Sequence, residues 1–351
     1  MVLPCSGTIS LLNIQNEYGG SDPIGLNEYY RNGAYVPNNN KVPTSGTISF
    51  ADFLGINSYG SATTGTRPDG LRVWKYTSSS TFRICTAGYV DLLLVGGGGY
   101  GYWGYGFSGS GGGAGGLIYI PNYYLGVGEY TTIVGGPNSN SYLYLNGSEI
   151  LIAKSGGSNF QGGSGAGDSH IGTQPSESGN SGAYGYGNNG GAEAWALHAW
   201  NSSGGGGGAG SAGGGGSGYY SDYNETYNTY NTICYGGVGG SGRTYNIDIS
   251  GTDITYVGGG GGGGGFSDNL SYIWGYPFGY GYGYGGAGGS GGGGNGETRG
   301  EGDGSGNVAG TNGTNGLGGG GGGGGPGSAS GLYRSGGSGV FIMKGSSSVL
   351  F

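Results

Sequence analysis

The sequence is poor in charge, in basic residues above all, and in long apolar runs. Only 11 of its 351 residues are lysine or arginine, against 19 aspartates and glutamates, which gives a formal net charge of −8. Nucleic-acid-binding proteins carry clustered cations, so this scattered and acidic balance argues against a nucleic-acid partner. No apolar stretch reaches the ~18 residues of a transmembrane helix, so we expect no membrane insertion.

Residue types that carry catalysis or bind metals are equally scarce. Histidine occurs only at His170 and His198, too few for a typical zinc centre, and we expect no metal site. The tripeptide Asp168-Ser169-His170 lacks the context of a catalytic triad. Strings resembling GxGxxG lack the strand–turn–helix unit of a dinucleotide site. We therefore expect no cofactor and no enzymatic activity.

Cysteine is also rare. Cys5, Cys85 and Cys234 are far apart and show no CxxC spacing, which predicts neither a disulfide framework nor a zinc site. The first five residues, MVLPC, lack the basic and apolar regions of a secretory signal peptide. We expect a chain that is made in the cytoplasm without a leader.

Glycine, in contrast, is abundant, at 101 residues. Ordering glycine costs more backbone entropy than ordering any other residue. A flexible linker would avoid that cost, but apolar and aromatic strands interrupt the glycine runs. Collagen is excluded because Gly-X-Y repeats are absent and proline totals only 10. The remaining alternative is a packed bundle of polyglycine II helices, with about three residues per turn and backbone groups paired between helices.

Residues 1–57 differ from the rest because glycine is sparse there. Residues 7–14 and 46–53 echo each other, and in both a serine could cap a short helix. Residues 23–31 predict another short helix. A segment this small cannot bury much apolar surface by itself. We therefore expect it to dock on a partner or on copies of itself. The candidate docking residues are Ile9, Ile14, Tyr18, Tyr29, Tyr30, Ile48 and Phe53.

Residues 58–351 are predicted to form an all-β domain. The strand candidates are residues 71–76, 81–85, 89–95, 116–120, 129–134, 141–145, 149–153, 252–257 and 338–344. First and last strands of this kind usually pair in a sandwich, so we expect the chain ends to close the domain. The one helix candidate here is residues 192–200. The predicted fold is a small N-terminal docking segment plus a β-sandwich frame with an inserted polyglycine II helix bundle.

The N-terminal segment resembles one found repeatedly in tail and baseplate-associated proteins of tailed phages, especially those of cyanobacteria and other aquatic hosts. The resemblance rests on the stretch GTISLLNIQNEYGGSDPIGLNEYYRNGAYVPNNNKVPTSGTISFADFLG, about one sixth of the chain. The glycine-rich remainder, with VDLLLVGGGG near its start and GGSGVFIMKG near its end, resembles glycine-rich domains of phage tail fibres. It is similar in style to the tip adhesins of T-even-type long tail fibres, in which polyglycine II sandwiches carry variable receptor-contacting loops.

Four segments, which we call the aromatic segments, interrupt the glycine pattern at residues 100–107, 184–200, 219–235 and 272–284. Tyrosine, serine, glycine and asparagine are the usual residues of binding loops, and aromatic rings also stack on sugars. The alternative is that these tyrosines cover lattice edges or form trimer contacts. The candidate receptor-binding residues are Tyr102, Trp103, Tyr105, Trp195, Trp200, Tyr219, Tyr220, Tyr223, Tyr227, Tyr230, Trp274, Tyr276, Phe278 and Tyr280.

The resemblance and the residue pattern together predict a virion protein, a tail fibre or tail-tip adhesin made in the host cytoplasm. Its N-terminus would bind other tail or baseplate proteins, and its distal loops a bacterial surface protein or polysaccharide. A homo-oligomer, with a trimer favoured, is expected. The alternative is a purely structural virion component, such as a spike, neck or baseplate decoration, whose tyrosines serve assembly. A polysaccharide depolymerase would need paired carboxylates in a cleft, and no pair stands out.

Overall fold

The computed structural model describes residues 3, 5–36, 42–54, 61–102, 108–158, 160–174, 184–196, 199–224, 229–264, 281–299, 307–325 and 334–346. Strands in several sheets dominate these residues, so the fold is all-β, as predicted. The helices of the described residues are α1 (Leu11–Tyr18) and two short 3-10 helices, Leu26–Tyr29 and Phe50–Phe53.

Serine occupies the N-cap position of two of these helices, and the predicted side-chain cap is confirmed at Ser10. The Asn13 backbone N–H donates to the Ser10 side-chain oxygen over 3.2 Å at the start of α1. At Ser49 the serine backbone N–H is the donor, and the Asp52 carboxylate three residues later accepts its hydrogen bond over 2.7 Å. Each bond satisfies a backbone or side-chain group that a short helix would otherwise leave to water.

The N-terminal segment has a hydrophobic core of its own. Ile14, Tyr29 and Phe53 are fully buried there, and the Tyr29 and Phe53 rings meet edge-to-face with their centroids 6.3 Å apart. The expectation that so short a segment cannot bury much by itself is therefore wrong. Leu3, Val36 and Val42 complete the cluster and add to its apolar volume.

A disulfide joins this segment to the second domain. Cys5 and Cys85 are bonded, with their Cα atoms 5.3 Å apart, across a sequence separation of 80 residues. The prediction of no disulfide framework is wrong on this point. The cysteine spacing carries no signal because the pairing depends on where the fold brings strand β3 (Ser80–Ile84) relative to the N-terminus.

Two antiparallel sheets form a sandwich. The first has the strand order β1-β2-β17-β4-β5-β9 and the second the order β3-β6-β7-β8. The strands of the first sheet are β1 (Thr63–Thr66), β2 (Arg72–Tyr76), β4 (Gly88–Val95), β5 (Leu117–Leu125), β9 (Gly185–Tyr186) and β17 (Val340–Gly345). The others of the second sheet are β6 (Gly128–Ile133), β7 (Ser141–Leu145) and β8 (Ser148–Ala153).

The last strand lies in the middle of the first sheet. β17 pairs antiparallel with β2 on one side and with β4 on the other, with Phe341 opposite both Tyr76 and Leu94. This confirms that the first and last predicted strands pair and close the domain. The strand candidates between residues 71 and 153 are confirmed to within a few residues at their ends.

Stacked aromatic rings fill the space between the two sheets. Phe82 of the second sheet stacks on Tyr76 and on Tyr130, each at a centroid distance of 5.3 Å, and Phe341 stacks on Tyr76 at 5.5 Å. All four rings are at most 1% exposed. Burying such a side chain stabilises a fold by about 2 kcal/mol, so this stack is the main apolar support of the sandwich.

A second layer covers the outer face of the first sheet. Val73, Leu93 and Ile342 pack there against Tyr256 of the hairpin formed by β14 (Arg243–Tyr245) and β15 (Ile254–Tyr256). A salt bridge of 2.6 Å from Lys75 to Asp248 fixes this hairpin at its turn. The first sheet is therefore buried on both faces, which explains the nearly continuous apolar run of β4.

Glycine runs extend from the sandwich in a bundle that we call the glycine array. Its runs lie parallel or antiparallel to one another, and residues 203–216, 285–299 and 308–325 each turn back within the run. Near the sandwich, for example, the Gly96 N–H donates to the Gly116 oxygen over 3.0 Å, where one run leaves and the next returns. The runs cover residues 96–102, 108–116, 154–158, 162–167, 187–192, 203–216, 236–242, 257–264, 285–299, 308–325 and 334–339.

Hydrogen-bond partners within a run repeat every third residue. Along residues 258–264, the first, fourth and seventh N–H groups donate to the run at 291–297. The second and fifth donate to residues 240 and 237, and the third and sixth to residues 112 and 109. The N–H groups of this run thus donate to three neighbouring segments, one parallel and two antiparallel. Its carbonyl oxygens accept from three more, at Gly206, at Gly286 and Gly289, and at Gly320 and Gly323. Residues 109–116 repeat the pattern, since Gly109, Gly112 and Gly115 donate to Gly324, Gly321 and Gly318.

The helix candidate at residues 192–200 is wrong. β10 (Ala194–Ala196) and β11 (Ala199–Ser202) form an antiparallel hairpin there. It lies against the hairpin of β12 (Ser217–Asn224) and β13 (Thr229–Tyr235). Nine residues with small and aromatic side chains fit either structure, and contact with a neighbouring hairpin favours the strand.

Candidate functional site

Part of each aromatic segment lies at one end of the glycine array, which we call the distal end. The second segment begins in the first sheet with β9 and reaches this end with β10 and β11. The first segment leaves the array after Tyr102 and returns at Ser108, and β11 ends at Ser202, just before the run that starts at Ser203. The hairpin β12–β13 leaves after Gly216 and returns at Gly236. The last segment leaves after Gly264 and returns at Gly285, through β16 (Gly281–Tyr284).

Direct hydrogen bonds join these points of attachment. The Ser108 and Ser203 hydroxyls are 3.0 Å apart, and the Gly237 N–H donates to the Ser203 oxygen over 2.9 Å. The Gly236 N–H donates to the Tyr284 oxygen over 2.7 Å. The Gly216 N–H donates to the Ala192 oxygen over 2.9 Å, which links β12 to the start of the β10–β11 segment. Four segments that are widely separated in sequence therefore share one surface.

The remaining attachment points join the same layer. The Gly324 N–H donates to the Tyr102 oxygen over 3.0 Å, and the Gly109 N–H to the Gly324 oxygen over 2.6 Å. The Gly263 N–H donates in turn to the Gly109 oxygen over 2.8 Å. The first and the last aromatic segments are thus tied together through residues 109, 263 and 324.

The N-terminal segment is linked to the opposite end of the domain. β4 begins at Gly88, three residues after the disulfide-bonded Cys85, and ends at Val95, where the chain enters the glycine array. A strand of eight residues is about 26 Å long. The disulfide and the aromatic segments consequently lie at opposite ends of a body that is longer than the sandwich alone.

A three-stranded sheet forms part of the distal end. β13 pairs antiparallel with β12 and parallel with β16. The aromatic segment at residues 219–235, interpreted from sequence as a loop, is thus mostly paired strand. Cys234 is 2% exposed on this sheet, and burial raises the pKa of its thiol to about 11, so this cysteine is a packed side chain rather than a nucleophile.

The candidate receptor-binding residues are distributed over these elements. Tyr102 is 38% exposed at the start of the first aromatic segment. Six others lie in the strands of the two hairpins: Trp195, Trp200, Tyr219, Tyr220, Tyr223 and Tyr230. The rest lie outside the described residues: Trp103, Tyr105, Tyr227, Trp274, Tyr276, Phe278 and Tyr280.

The candidate docking residues divide into two groups. Ile9, Ile14, Tyr29 and Phe53 are at most 8% exposed in the core of the N-terminal segment, so they hold the segment together. Tyr18, Tyr30 and Ile48 are partly exposed. Sequence reasoning missed Leu12 and Phe50, which are 61% and 41% exposed at the starts of α1 and of the 3-10 helix Phe50–Phe53. These two apolar side chains are available to a partner.

A buried carboxylate holds two arginines at the distal end. Glu297 is 6% exposed and lies 2.9 Å from Arg299 Nε and 3.8 Å from Arg334 Nη2. The backbones of Arg299 and Gly283 bond each other in both directions, which places this cluster beside β16. The carboxylate neutralises one of the two guanidinium groups, and the cluster links the runs at residues 285–299 and 334–339.

The Asp168-Ser169-His170 tripeptide forms a tight turn in which Asp168 and Ser169 have positive φ angles of 66° and 65°. His170 Nδ1 is 2.7 Å from the Gly167 oxygen, so the ring bonds the backbone of its own turn. Burial raises the pKa of the Asp168 carboxyl. The arrangement is that of a turn at the edge of the glycine array.

Three tyrosines that the sequence reasoning left out stand together on the distal sheet. Tyr235 and Tyr284 are 38% and 43% exposed, and their rings stack at 5.1 Å. Tyr282 is 6.5 Å from Tyr284 with nearly parallel rings. The signal was the alternation of glycine and tyrosine in residues 279–284, which has the period of a strand and places every tyrosine on one face.

The described part of the chain contains neither a membrane-spanning helix nor a cluster of metal-binding side chains. No helix there has the length and apolar character needed to cross a membrane. No group of three or more histidine, cysteine, aspartate or glutamate side chains is placed there to hold a metal ion. Comparison of the whole sequence and fold with protein families, curated proteins and solved structures finds no match.

Proposed function

We propose that this chain is a virion protein of a tailed phage, a tail fibre or tail-tip adhesin that binds a receptor on the host cell surface. The observation that carries the proposal is the position of the aromatic segments. They share the distal end of the glycine array, whereas the N-terminal segment is linked to the other end of the domain through Cys85. Binding residues on loops and strand ends that a rigid scaffold positions are the usual design of a recognition site.

The glycine array is proposed to be a bundle of polyglycine II helices. Such helices have about three residues per turn, so successive N–H groups point in three directions. The threefold repetition of partners along residues 258–264 supports this interpretation, as does the mixture of parallel and antiparallel neighbours. The array would be the rigid scaffold that holds the receptor-binding segments away from the particle.

The N-terminal segment is proposed to attach the protein to other tail or baseplate proteins. Its own core supports a separately folded module, and the exposed Leu12 and Phe50 supply apolar surface for the contact. Association of the chain into a homo-oligomer, with a trimer favoured, belongs to the same proposal. The protein would be located on the virion after synthesis in the host cytoplasm, and its role would be binding and not catalysis.

The alternative is a structural virion component, such as a spike, neck or baseplate decoration. In that case the distal tyrosines would be buried between subunits. The exposure of Tyr235 and Tyr284 in the single chain is compatible with either arrangement, because a neighbouring subunit could cover them. An experiment on the intact particle distinguishes the two functions.

The test combines location with adsorption. Gold-labelled antibodies against residues 194–202 should mark the outer tip of the appendage, and phage carrying Trp103→Ala or Trp274→Ala should assemble normally. Aromatic anchors at an interface commonly contribute ~2 kcal/mol or more, so adsorption should fall roughly thirtyfold. Wild-type adsorption of both variants, with the epitope hidden in intact particles, would favour the structural component.

A further inference from the structure

The two faces of the distal sheet differ in composition. Gly218, Cys234 and Gly283 are aligned across its three strands, and Cys234 and Gly283 are buried. A Cβ atom on Gly264 would lie 2.3 Å from the Gly283 carbonyl carbon, so this face lies directly on the glycine array. Side chains directly opposite each other across strands share a face, so the residues one position along must project on the other side.

That other face carries the tyrosines. Tyr235 pairs with Tyr284 on β16 and with Ser217 on β12, and Ile233 pairs with Tyr282. The rings of Tyr235 and Tyr284 are inclined by only 16°, and those of Tyr282 and Tyr284 by 14°. Ser217, on the strand next to Tyr235, is small and exposed. It therefore leaves room for a ligand beside the tyrosines. Core tyrosines such as Tyr76 are fully buried, whereas about two fifths of Tyr235 and Tyr284 are exposed.

Charge restricts what can occupy this surface. The four aromatic segments contain no lysine or arginine, and they contribute Glu193, Asp222 and Glu225. The nearby Arg299 and Arg334 share the single carboxylate of Glu297, and their side chains are only 18% and 17% exposed, so little of either cation is accessible to a ligand. A phosphorylated or sulfated ligand would find no unpaired cation in the segments and would meet carboxylates. An uncharged ligand does not meet this electrostatic repulsion. Aromatic rings with hydroxyl and amide groups nearby suit a molecule that is apolar on one side and carries hydroxyl groups on its edges.

We propose that Tyr235, Tyr282 and Tyr284 form a platform that binds a neutral polysaccharide. The rings of Tyr235 and Tyr284 cover each other's inner faces, so the apolar C–H face of a sugar ring would stack on an outer face of this group of rings. This inference rests on the proposed receptor-binding function and narrows it to one class of receptor. A protein receptor is the competing outcome.

The test is affinity electrophoresis of the full-length protein in gels that contain defined polymers. The neutral set is dextran, mannan, laminarin and galactan, and the anionic set is dextran sulfate and polygalacturonate. The wild type should be retarded by at least one neutral polymer, equally at low and high salt, since no ion pair is involved. Tyr284→Ile should weaken that binding at least about tenfold because it keeps bulk and removes the ring face. Tyr284→Phe should retain it.

The matched control is a second exposed tyrosine pair. Tyr89 and Tyr124 are 54% and 56% exposed, but their rings are tilted by 57° and they lie on the sandwich. Tyr89→Ile should leave retardation unchanged. Absence of binding to every neutral polymer, or equal loss in the Tyr89 and Tyr284 variants, would overturn the proposal.

The same protein samples separate this inference from the proposed function. Purified protein that blocks phage adsorption but binds no neutral polymer would leave the adhesin proposal standing and overturn the polysaccharide platform. Protein that binds a neutral polymer through Tyr284 but never blocks adsorption would support the polysaccharide platform and overturn the adhesin proposal. Should Tyr284→Ile fail to fold, Tyr235→Ser provides the second variant, with the same expected loss.

Discussion

Gly260 and Gly321 belong to neighbouring runs of the glycine array and approach so closely that neither has room for a side chain. A Cβ atom on Gly260 would lie 2.0 Å from the Gly321 carbonyl oxygen, and one on Gly321 would lie 2.0 Å from the Arg334 carbonyl oxygen. Both obstacles are backbone atoms that are hydrogen-bonded to further runs, so neither can move away alone. The array therefore depends on glycine at contacts of this kind for its packing, beyond the freedom that glycine gives the backbone.

We predict that Gly260→Val or Gly321→Val abolishes soluble folded protein or lowers the free energy of unfolding by at least about 3 kcal/mol. The added atoms would separate runs that are now in backbone contact and would break several hydrogen bonds at once. Thermal unfolding of the purified variants, followed by circular dichroism, measures the effect.

The control for this prediction is Gly136→Ala. A Cβ atom there would have nothing within 4 Å, and the residue has no positive φ angle. The variant should melt within a degree or two of the wild type. If Gly260→Val also melts like the wild type, the runs are surface linkers and the packed bundle is wrong.

A truncated chain of residues 60–351 should fold but fail to join the particle. The N-terminal segment has its own core, and none of its described side chains belongs to the sandwich core. The truncated chain should also carry Cys85→Ser, because removal of Cys5 leaves that thiol unpaired. Western blots of purified virions measure incorporation, and normal incorporation would contradict the docking role.

Replacing both members of the disulfide, Cys5→Ser with Cys85→Ser, should lower the free energy of unfolding by about 2–4 kcal/mol, because the bond closes a long loop in the unfolded chain. The bond itself can be checked by alkylation in denaturant. With Cys5 and Cys85 paired and Cys234 free, one thiol should react before reduction and all three after it. Three reactive thiols without reductant would refute the pairing.

Asp168→Asn should stabilise the protein at neutral pH. Burial raises the pKa of this carboxyl in the folded state, with Glu193 adding to the effect and the Gly204 N–H and His170 opposing it. A raised carboxyl pKa means that the folded state binds the proton more tightly, so stability falls as pH rises through the unfolded and then the folded pKa. Asparagine also tolerates the positive φ of 66°.

The difference between this variant and the wild type should therefore vanish below the ordinary pKa of aspartate, near 3.9. Unfolding by urea at several pH values measures it. A variant that is less stable than the wild type at pH 7 would show that the charged carboxylate is needed to hold the turn.

The sandwich could be read from the sequence, because its strands have apolar periodicity and the chain ends carry matching runs. The pairing of residues 72–76 with 340–345 followed from that pattern alone. The array was harder to predict in detail. One glycine run is chemically the same as another, so nothing in residues 258–264 specifies that their neighbours are residues 109–112, 237–240 and 291–297.

The candidate site was predictable in its residue types but not in its arrangement. Aromatic composition indicated the four segments, yet whether a segment is a loop or a paired strand depends on neighbours far away in sequence. β13 pairs with β16 from a segment about fifty residues later, and this pairing brings Tyr235 beside Tyr284. The disulfide was missed for the same reason, since its two cysteines are brought together by the fold alone.

The hydrogen bonding of each run to the runs around it has a mechanical consequence. Hydrogen bonds in the array lie across the runs, so a pull on the distal end along their length loads these bonds in shear. Bonds loaded in shear share the force and must rupture together, whereas bonds at a free sheet edge can be peeled one by one. The run at residues 258–264 is hydrogen-bonded to six neighbouring segments, and the strand β17 is held between β2 and β4. A tether of this construction would keep its length under tension up to a high threshold and then fail abruptly.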